Sequence, residues 1–247
     1  MSTVPSSGST PRPADPPAPH GARFSFDQAI QQLKRRLVQE ASAAVSMLEA
    51  ALDALWKLDI EAALAVRIRD DSIDAEEVQI ESECYRLLTL QHPLARDFRL
   101  LAFILKVNSD VERVADHASG IAKVAGKLDT STPFRWPTAL TDMGQRVPAM
   151  CRALLRAMLD EDAKAAAAVA AEDDVIDALD KQLFREVEDL LKREPGAVHN
   201  GLLLYRLSRE LERVGDLMKN IAEDVIFLNT GSIVRHEAKR AARQAKA

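Results

Sequence analysis

Apolar and polar residues alternate along most of this chain with a spacing of three to four positions, which predicts long amphipathic helices. Residues 22–92 contain neither Gly nor Pro, so this stretch suits two long helices. The break between them is expected at KLDIEAA, residues 57–63, where Asp59 can cap the second helix. Pro93 ends that helix, and a third helix is predicted over residues 97–128.

Three more helices are predicted in the second half of the chain. Gly144 and Pro148 interrupt the fourth helix, so a kink or a late start is expected there. The acidic run DED at 160–162 ends that helix, and the fifth runs to the turn EPG at 194–196. The sixth helix ends at Gly231, a natural residue to follow a helix C-terminus.

The two halves share sequence, which indicates an internal duplication. The segment DVERVADHASGIAK (110–123) aligns with ELERVGDLMKNIAE (210–223), and DDSID (70–74) aligns with DDVID (173–177). The matched segments come in the same order in both halves. The predicted fold is therefore all-α, with two tandem three-helix bundles.

The predicted domains follow from this repeat and from the linker DTSTPFRWP (129–137). The expected boundaries are a disordered Pro/Ser-rich tail over 1–22, a first three-helix bundle over 23–130, a second bundle over 131–231 and a basic tail over 232–247.

Composition narrows the class of protein. The chain of 247 residues is 47% hydrophobic, with 9 Gly and 4% aromatic residues, which is typical of an all-helical protein. The net charge is −5, which argues against a general nucleic-acid binder. The two cysteines form no paired motif, and neither a signal peptide nor an apolar run of spanning length is evident. We therefore expect a cytoplasmic protein.

Pairs of carboxylates stand out as candidate chemistry. In each half, the motif E-R-V-[AG]-D places two carboxylates four residues apart on one helix, and D-D-x-I-D does so on the preceding helix. Like charges at this spacing cost a helix roughly 0.2–0.5 kcal/mol per pair. The candidate metal ligands are Asp70, Asp74, Glu112, Asp116, Asp173, Asp177, Glu212, Asp216 and Asn220.

Helical geometry predicts that the two pairs of one bundle meet. Counting equal steps from the turn near residues 94 and 95 brings Asp74 level with about Ala115, because each residue rises about 1.5 Å. Both pairs fall on the flanks of their helices. Four carboxylates at one height repel one another unless a cation lies between them. An all-oxygen site suits Mg²⁺, Mn²⁺, Ca²⁺ or iron.

The alternative is an ordinary solvated surface. Arg113 can pair with Asp110 or Asp116 on the same helix, which contributes only tenths of a kcal/mol. The recurrence of both motifs in both halves favours the metal interpretation. His117 is interpreted as a polar surface residue. No activated nucleophile, general base or phosphate-binding loop is evident, so an enzyme is not expected.

Residues 26–231 resemble the PhoU family of phosphate-transport accessory proteins. The resemblance rests on LERVGDLMKNIAEDVIFLNTG, on HPLARDFRLLAFILKVNSDVERVADHA and on the two D-x-x-I-D segments. It implies two three-helix bundles related by a pseudo-twofold axis. Some members bind multinuclear metal clusters at motifs that correspond to the carboxylates named above, which implies divalent Mg, Mn, Fe or a similar ion here.

The resemblance also implies partners. When phosphate is plentiful, such proteins restrain the phosphate ABC transporter and the phosphate-sensing histidine kinase, by touching the transporter's ATPase subunit and the kinase. A negative-regulatory adaptor is therefore expected, as a homodimer that reaches the membrane only through partners. The alternative is a metal-independent helical scaffold that uses its acidic flanks to bind a partner protein.

One position departs from the family pattern. The motif commonly extends to Asn or Asp four residues further on; Asn220 fits, but its counterpart is Gly120. Gly120 removes a possible ligand from the first site. If only one bundle holds metal well, we therefore expect the second.

Overall fold

The computed structural model describes residues 20–131 and 135–232, and within these ranges it contains helices and no strand. The helices are α1 His20–Lys57, α2 Ile60–Gln91, α3 Ala95–Ala125, α4 Thr138–Leu159, α5 Ala163–Arg193 and α6 Val198–Thr230, with a 3₁₀ turn at Pro195–Ala197 before α6. The predicted all-α fold with an internal repeat is confirmed. The predicted tails lie outside the described residues, apart from the first residues of α1.

The two halves begin their middle helices with the same cap. The side chain of Asp59 accepts a hydrogen bond from the backbone N–H of Ala62 at 2.9 Å, as the sequence predicts. Asp162 accepts from the N–H groups of Lys164 and Ala165 at 2.8 and 3.0 Å. At the other end of the chain, Gly231 adopts a left-handed conformation with φ 72° and closes α6.

The expected late start of the fourth helix is wrong, and the expected kink stays a prediction. α4 begins at Thr138, ahead of both interrupting residues, and continues through Gly144 and Pro148 to Leu159. Packing explains the Gly: a Cβ at position 144 would lie 2.5 Å from Cζ2 of Trp56. Pro148 is buried among other core residues of α4. Tertiary packing therefore keeps the helix intact although Pro148 cannot donate a backbone hydrogen bond.

The helices pack as two bundles, α1–α3 and α4–α6, joined by contacts of α3 with α6 and of α1 with α4. Lys106 pairs with Asp224, whereas the later α3 residue His117 pairs with the earlier α6 residue Glu210, so α3 and α6 run antiparallel. The interpretation of His117 as a surface residue is wrong: its side chain is only 17% exposed, and its Nδ1 lies 2.8 Å from Glu210 Oε2.

Gly120 belongs to this contact between the bundles. A Cβ at position 120 would lie 2.9 Å from the carboxyl carbon of Glu210. Gly120 therefore makes room for the carboxylate that pairs with His117 and with Arg206. This packing role accounts for the glycine without reference to a lost metal ligand.

Replacing Gly144 by Ala tests the close contact with Trp56. At an unconstrained helix position, Gly→Ala raises the free energy of unfolding by up to about 1 kcal/mol. Here we expect a decrease of about 1–3 kcal/mol, because the new methyl group forces the indole to move. Urea unfolding monitored by circular dichroism measures the change.

Gly126 provides the matched control, since a Cβ there meets nothing within 4 Å and the backbone φ is −80°. Gly126→Ala should leave the free energy of unfolding unchanged or raise it by about 0.4–1 kcal/mol. Equal stabilisation by both substitutions would contradict the steric role of Gly144.

Candidate functional site

The first cluster is formed where α2 and α3 face each other, and it consists of Asp70, Asp74 and Glu77 of α2 with Glu112 and Asp116 of α3. Burial, together with the charges of the other four carboxylates, raises the pKa of Glu112 to about 7. Burial and the charge of Asp116 likewise raise the pKa of Asp70. The two predicted pairs therefore lie near each other, and Glu77 joins them.

Cationic compensation of the first cluster is weak: the charge of Lys123 lowers the pKa of Asp70, without direct contact. None of its five carboxylates forms an ion pair with a Lys or Arg in the described ranges. Oδ1 of Asp70 is buried without a hydrogen-bond partner. Uncompensated carboxylates at partly buried positions destabilise the fold unless they are protonated or bind a cation.

Two deeply buried polar side chains adjoin this cluster. Glu40 of α1 is 3% exposed, and neither of its oxygens has a hydrogen-bond partner. Burial, together with the charges of Glu76, Glu77 and Glu112, raises the pKa of Glu40 to about 8. Asn108 of α3 is 1% exposed; its amide donates to the carbonyl of Glu77 at 2.9 Å, and its Oδ1 has no partner.

Sequence reasoning missed Glu40, although a signal was available. Glu40 falls on the apolar stripe of α1, between Leu37 and Ala44, which are both buried. A single carboxylate on such a stripe predicts a buried charge that needs an explanation. Aligning the two repeats on their helix caps places Met143 at the position of Glu40.

The second cluster is formed by the corresponding residues of α5 and α6: Asp173, Asp177, Asp180, Glu212 and Asp216. Burial raises the pKa of Asp216, and the charges of Asp173 and Asp177 add to this shift. The side chain of Asp173 is only 2% exposed. α5 and α6 approach closely here, which draws Asp173 into the core.

Cations compensate the second cluster. Nζ of Lys219 lies 2.6 Å from Asp173 Oδ2. Nη1 of Arg209 lies 3.1 Å from Glu212 Oε1 and 3.2 Å from Asp180 Oδ2. In the first repeat, Ser119 stands at the position of Lys219, so the first cluster lacks the matching ammonium group.

Asn220 is exposed on α6, one residue beyond Lys219. As the side chains stand, no group of three or more His, Cys, Asp or Glu residues in the described ranges is gathered closely enough to hold a metal ion. The oxygen donors suit a hard cation, but its ligands would have to converge around it. The assignment of the nine candidate residues as metal ligands remains a prediction.

The charged groups within each cluster indicate which of the two clusters is the better site for a metal ion. The expectation that the second bundle holds metal better than the first rested on the contrast between Gly120 and Asn220. The structure gives Gly120 a packing role and provides the second cluster with Lys219 and Arg209. Both clusters hold buried oxygens without hydrogen-bond partners, Asp70 Oδ1 in the first and Asp173 Oδ1 and Glu212 Oε2 in the second. The first cluster forms no ion pair with a described Lys or Arg, so it has the greater electrostatic need for a metal ion.

A family model described as the PhoU domain matches the chain twice, at residues 37–125 and 140–225. This chain belongs to the PhoU family. The double match also confirms the internal repeat. Among the helices described, none is both long enough and apolar enough to cross a membrane.

Several PhoU relatives are similar along most of their length. The "Phosphate-specific transport system accessory protein PhoU homolog" of Deinococcus radiodurans is 38% identical over 167 residues, which cover 68% of this chain and 78% of the relative. The protein of the same description from Pseudomonas aeruginosa is 33% identical over 218 residues, which cover 88% of this chain and 90% of the relative.

Solved PhoU structures share the fold. The crystal structure of PhoU from Pseudomonas aeruginosa superposes with a TM-score of 0.81 at 32% identity, covering 84% of this chain and 100% of that one. The phosphate transport system regulatory protein PhoU from Streptococcus pneumoniae superposes with a TM-score of 0.79 at 31% identity, covering 85% and 99%.

The raised pKa of Glu40 predicts a pH-dependent stability. Its pKa is about 8 in the folded protein and near 4.5 in the unfolded chain, so the unfolded chain loses this proton at lower pH. The carboxyl group therefore lowers the free energy of unfolding progressively as pH rises from about 4.5 to about 8. Glu40→Gln removes this loss, because the amide stays neutral.

The measurement is urea unfolding in chelator at pH 5 and pH 9. The variant minus wild-type difference in the free energy of unfolding should be more positive at pH 9 by at least about 1 kcal/mol. Glu61→Gln, at an exposed position of α2, should show no such change with pH. A difference for Glu40→Gln that is the same at both pH values contradicts the buried, protonated carboxyl group.

Proposed function

We propose that this chain is an accessory regulator of phosphate-specific transport, acting as a negative-regulatory adaptor in the cytoplasm. The proposal is supported by relatives described as accessory proteins of the phosphate-specific transport system, which align over 84–88% of this chain in several cases. Its partners are the ATPase subunit of the phosphate ABC transporter and the phosphate-sensing histidine kinase. The chain reaches the membrane through these partners.

A regulator of this kind acts by binding rather than by catalysis. The relative from Streptococcus pneumoniae is described as a regulatory protein. The serines beside the two clusters, Ser119 and Ser208, are buried, and Ser208 donates its hydroxyl to Asp180 at 2.6 Å, so neither is presented to a substrate as a nucleophile. The clusters instead offer concentrated negative charge on the outer faces of two helix hairpins. Such faces suit a metal ion, a basic partner surface or both.

The first cluster is the proposed binding site for a divalent cation. The observation that carries this proposal is the set of buried carboxylate oxygens without hydrogen-bond partners along this hairpin, both oxygens of Glu40 and Oδ1 of Asp70, where no Lys or Arg of the described residues forms an ion pair with the cluster. Oxygen donors of this kind suit Mg²⁺, Mn²⁺ or iron. A bound cation would relieve the repulsion that raises the pKa of Glu112.

Element-resolved metal analysis of the untagged protein tests this site. We expect a bound divalent metal, and a melting temperature that falls on chelation, because the carboxylates then repel one another unscreened. Glu112→Gln should reduce the metal content and the chelation shift, since it removes a ligand of the first cluster.

Glu212→Gln is the matched control, because the second cluster already holds Lys219 and Arg209. It should retain most of the metal. Protein that is free of metal and indifferent to chelator would refute the site, and loss of metal in Glu212→Gln alone would assign it to the second cluster.

A metal-independent adaptor is the second candidate, favoured by the ion pairs that neutralise Asp173, Asp180 and Glu212 without any metal. Binding to the purified ATPase subunit and to the kinase separates the candidates. If the first cluster acts through its metal, chelation and Glu112→Gln should both weaken binding by about tenfold or more. Undiminished binding in chelator supports the metal-independent adaptor, whereas no binding under any condition contradicts the adaptor function.

A further inference from the structure

A polar cleft lies at one end of the molecule, where the first bundle meets the corner between α4 and α5. Its volume is about 760 Å³, and residues near the starts of α1 and α3, at the α4–α5 corner and at the end of α6 line it. The charged residues that line it are Asp27, Lys34, Arg96, Asp97, Arg99 and Glu161. We call it the corner cleft, and it shares no residue with either acidic cluster.

The carboxylate of Glu161 already acts as an oxyanion bound on the basic side of the corner cleft. Nζ of Lys34 lies 2.6 Å from Glu161 Oε1, and Nη2 of Arg96 lies 3.5 Å from Glu161 Oε2. Two helices of the first bundle thus direct cations at both oxygens of a carboxylate that the second bundle provides. The hydrogen bond from Lys34 and the charges of both cations hold the pKa of Glu161 below its usual value.

The corner cleft has more cationic groups than Glu161 uses. Arg99 also lines it and forms no ion pair with another residue in the described ranges. Helix α3 begins here, and no side chain caps its N-terminus, so the positive end of the helix adds to the attraction for an anion. A tetrahedral oxyanion has more oxygens than a carboxylate with which to accept hydrogen bonds from these donors.

Two carboxylates in the cleft select among oxyanions. Asp27 and Asp97 form no ion pair with a described residue, and their negative charge weakens the binding of any anion. Hydrogen phosphate has an O–H group to donate, whereas sulfate has none at neutral pH. A carboxylate that accepts this hydrogen bond offsets its own repulsion of phosphate, which it cannot do for sulfate. The cleft therefore favours phosphate, with an expected dissociation constant of about 1 mM.

The internal repeat shows that this corner of the fold does not need a carboxylate. Asp59 and Asp162 cap the middle helices of the two bundles, and this alignment places Leu58 at the position of Glu161. Both residues have a left-handed backbone, with φ of 54° and 49°. Leu58 packs against the hydrophobic core, whereas Glu161 pairs with two cations of the first bundle. One corner is thus closed by an apolar contact, and the other by ion pairs that a dissolved anion can replace.

We propose that the corner cleft binds inorganic phosphate, which displaces the carboxylate of Glu161 from Lys34 and Arg96. Binding releases the α4–α5 corner from the first bundle, which gives the protein a way to respond to phosphate concentration. The regulatory meaning of this response rests on the proposed function in phosphate transport, whereas the binding itself does not.

Titration of the metal-free protein with sodium phosphate tests the site, followed by amide shifts in NMR spectra at pH 7.5 and constant ionic strength. Prior removal of metal prevents phosphate from acting through an ion at the first cluster. Glu161→Gln removes the competing carboxylate, so the dissociation constant should fall at least about fivefold from its wild-type value. In the Glu161→Gln background, Lys34→Gln should raise it at least about tenfold, because a cation is lost and no competitor remains.

Glu49→Gln and Arg152→Gln are matched controls, because this ion pair also joins the two bundles through partly exposed side chains. Each should leave the dissociation constant for phosphate within about twofold of the wild-type value. Sulfate should bind at least about tenfold more weakly than phosphate. O-phosphoserine should also bind more weakly, because its phosphate group has lost both protons at pH 7.5.

Absence of phosphate binding in both the wild type and Glu161→Gln overturns the proposal. A Glu161→Gln variant that binds no more tightly than the wild type rejects the displacement, and loss of affinity in either control places the binding elsewhere. Equal or tighter binding of sulfate or O-phosphoserine rejects inorganic phosphate as the ligand. Binding to the ATPase subunit and to the kinase is measured separately, so failure of the adaptor function and failure of phosphate binding are distinguished. Circular dichroism melts confirm that each variant is folded.

Discussion

The antiparallel contact of α3 with α6 is the constraint on which the rest of this structure depends. It joins the two bundles and determines which faces of these helices are turned inward. Lys106 pairs with Asp224 at one end of the contact, and His117 pairs with Glu210 towards the other. Gly120 leaves room for the Glu210 carboxylate between the helices, since a Cβ there would lie 2.9 Å from its carboxyl carbon. With these faces occupied, the E-R-V-[AG]-D carboxylates are left to face α2 and α5.

Duplication produced two hairpins with similar backbones and different electrostatics. Lys219 compensates Asp173 in the second bundle, where the first bundle has Ser119 at the matching position. Glu40 adds a buried carboxyl group to the first bundle, where the second has Met143. The second cluster therefore carries its own cations, and the first forms no ion pair with a Lys or Arg of the described residues. The two bundles differ in charge balance on a shared architecture.

The outer faces diverge in the same way. α2 has large apolar residues such as Ile68 and Val78 in contact with solvent, and α5 has Ala171 and Lys181 in their place. Large apolar residues are exposed in the second bundle as well, at Phe184 and Leu202. The two repeats therefore differ in where they expose apolar area, which adds nothing to the stability of the monomer.

Sequence alone determined the helical fold, the repeat and the pairing of the carboxylates, because helical periodicity and cap chemistry are local properties. Asp59 begins α2 as expected, and Gly231 closes α6. Only the tertiary structure decided which carboxylates are neutralised, because Lys219, Arg209 and Glu210 find their partners on other helices or through packing of whole bundles. The continuity of α4 and the burial of Glu40 and Asp173 were decided in the same way. Close packing keeps α4 helical through Pro148 and buries the carboxyl groups of Glu40 and Asp173. That packing depends on residues that are distant in sequence.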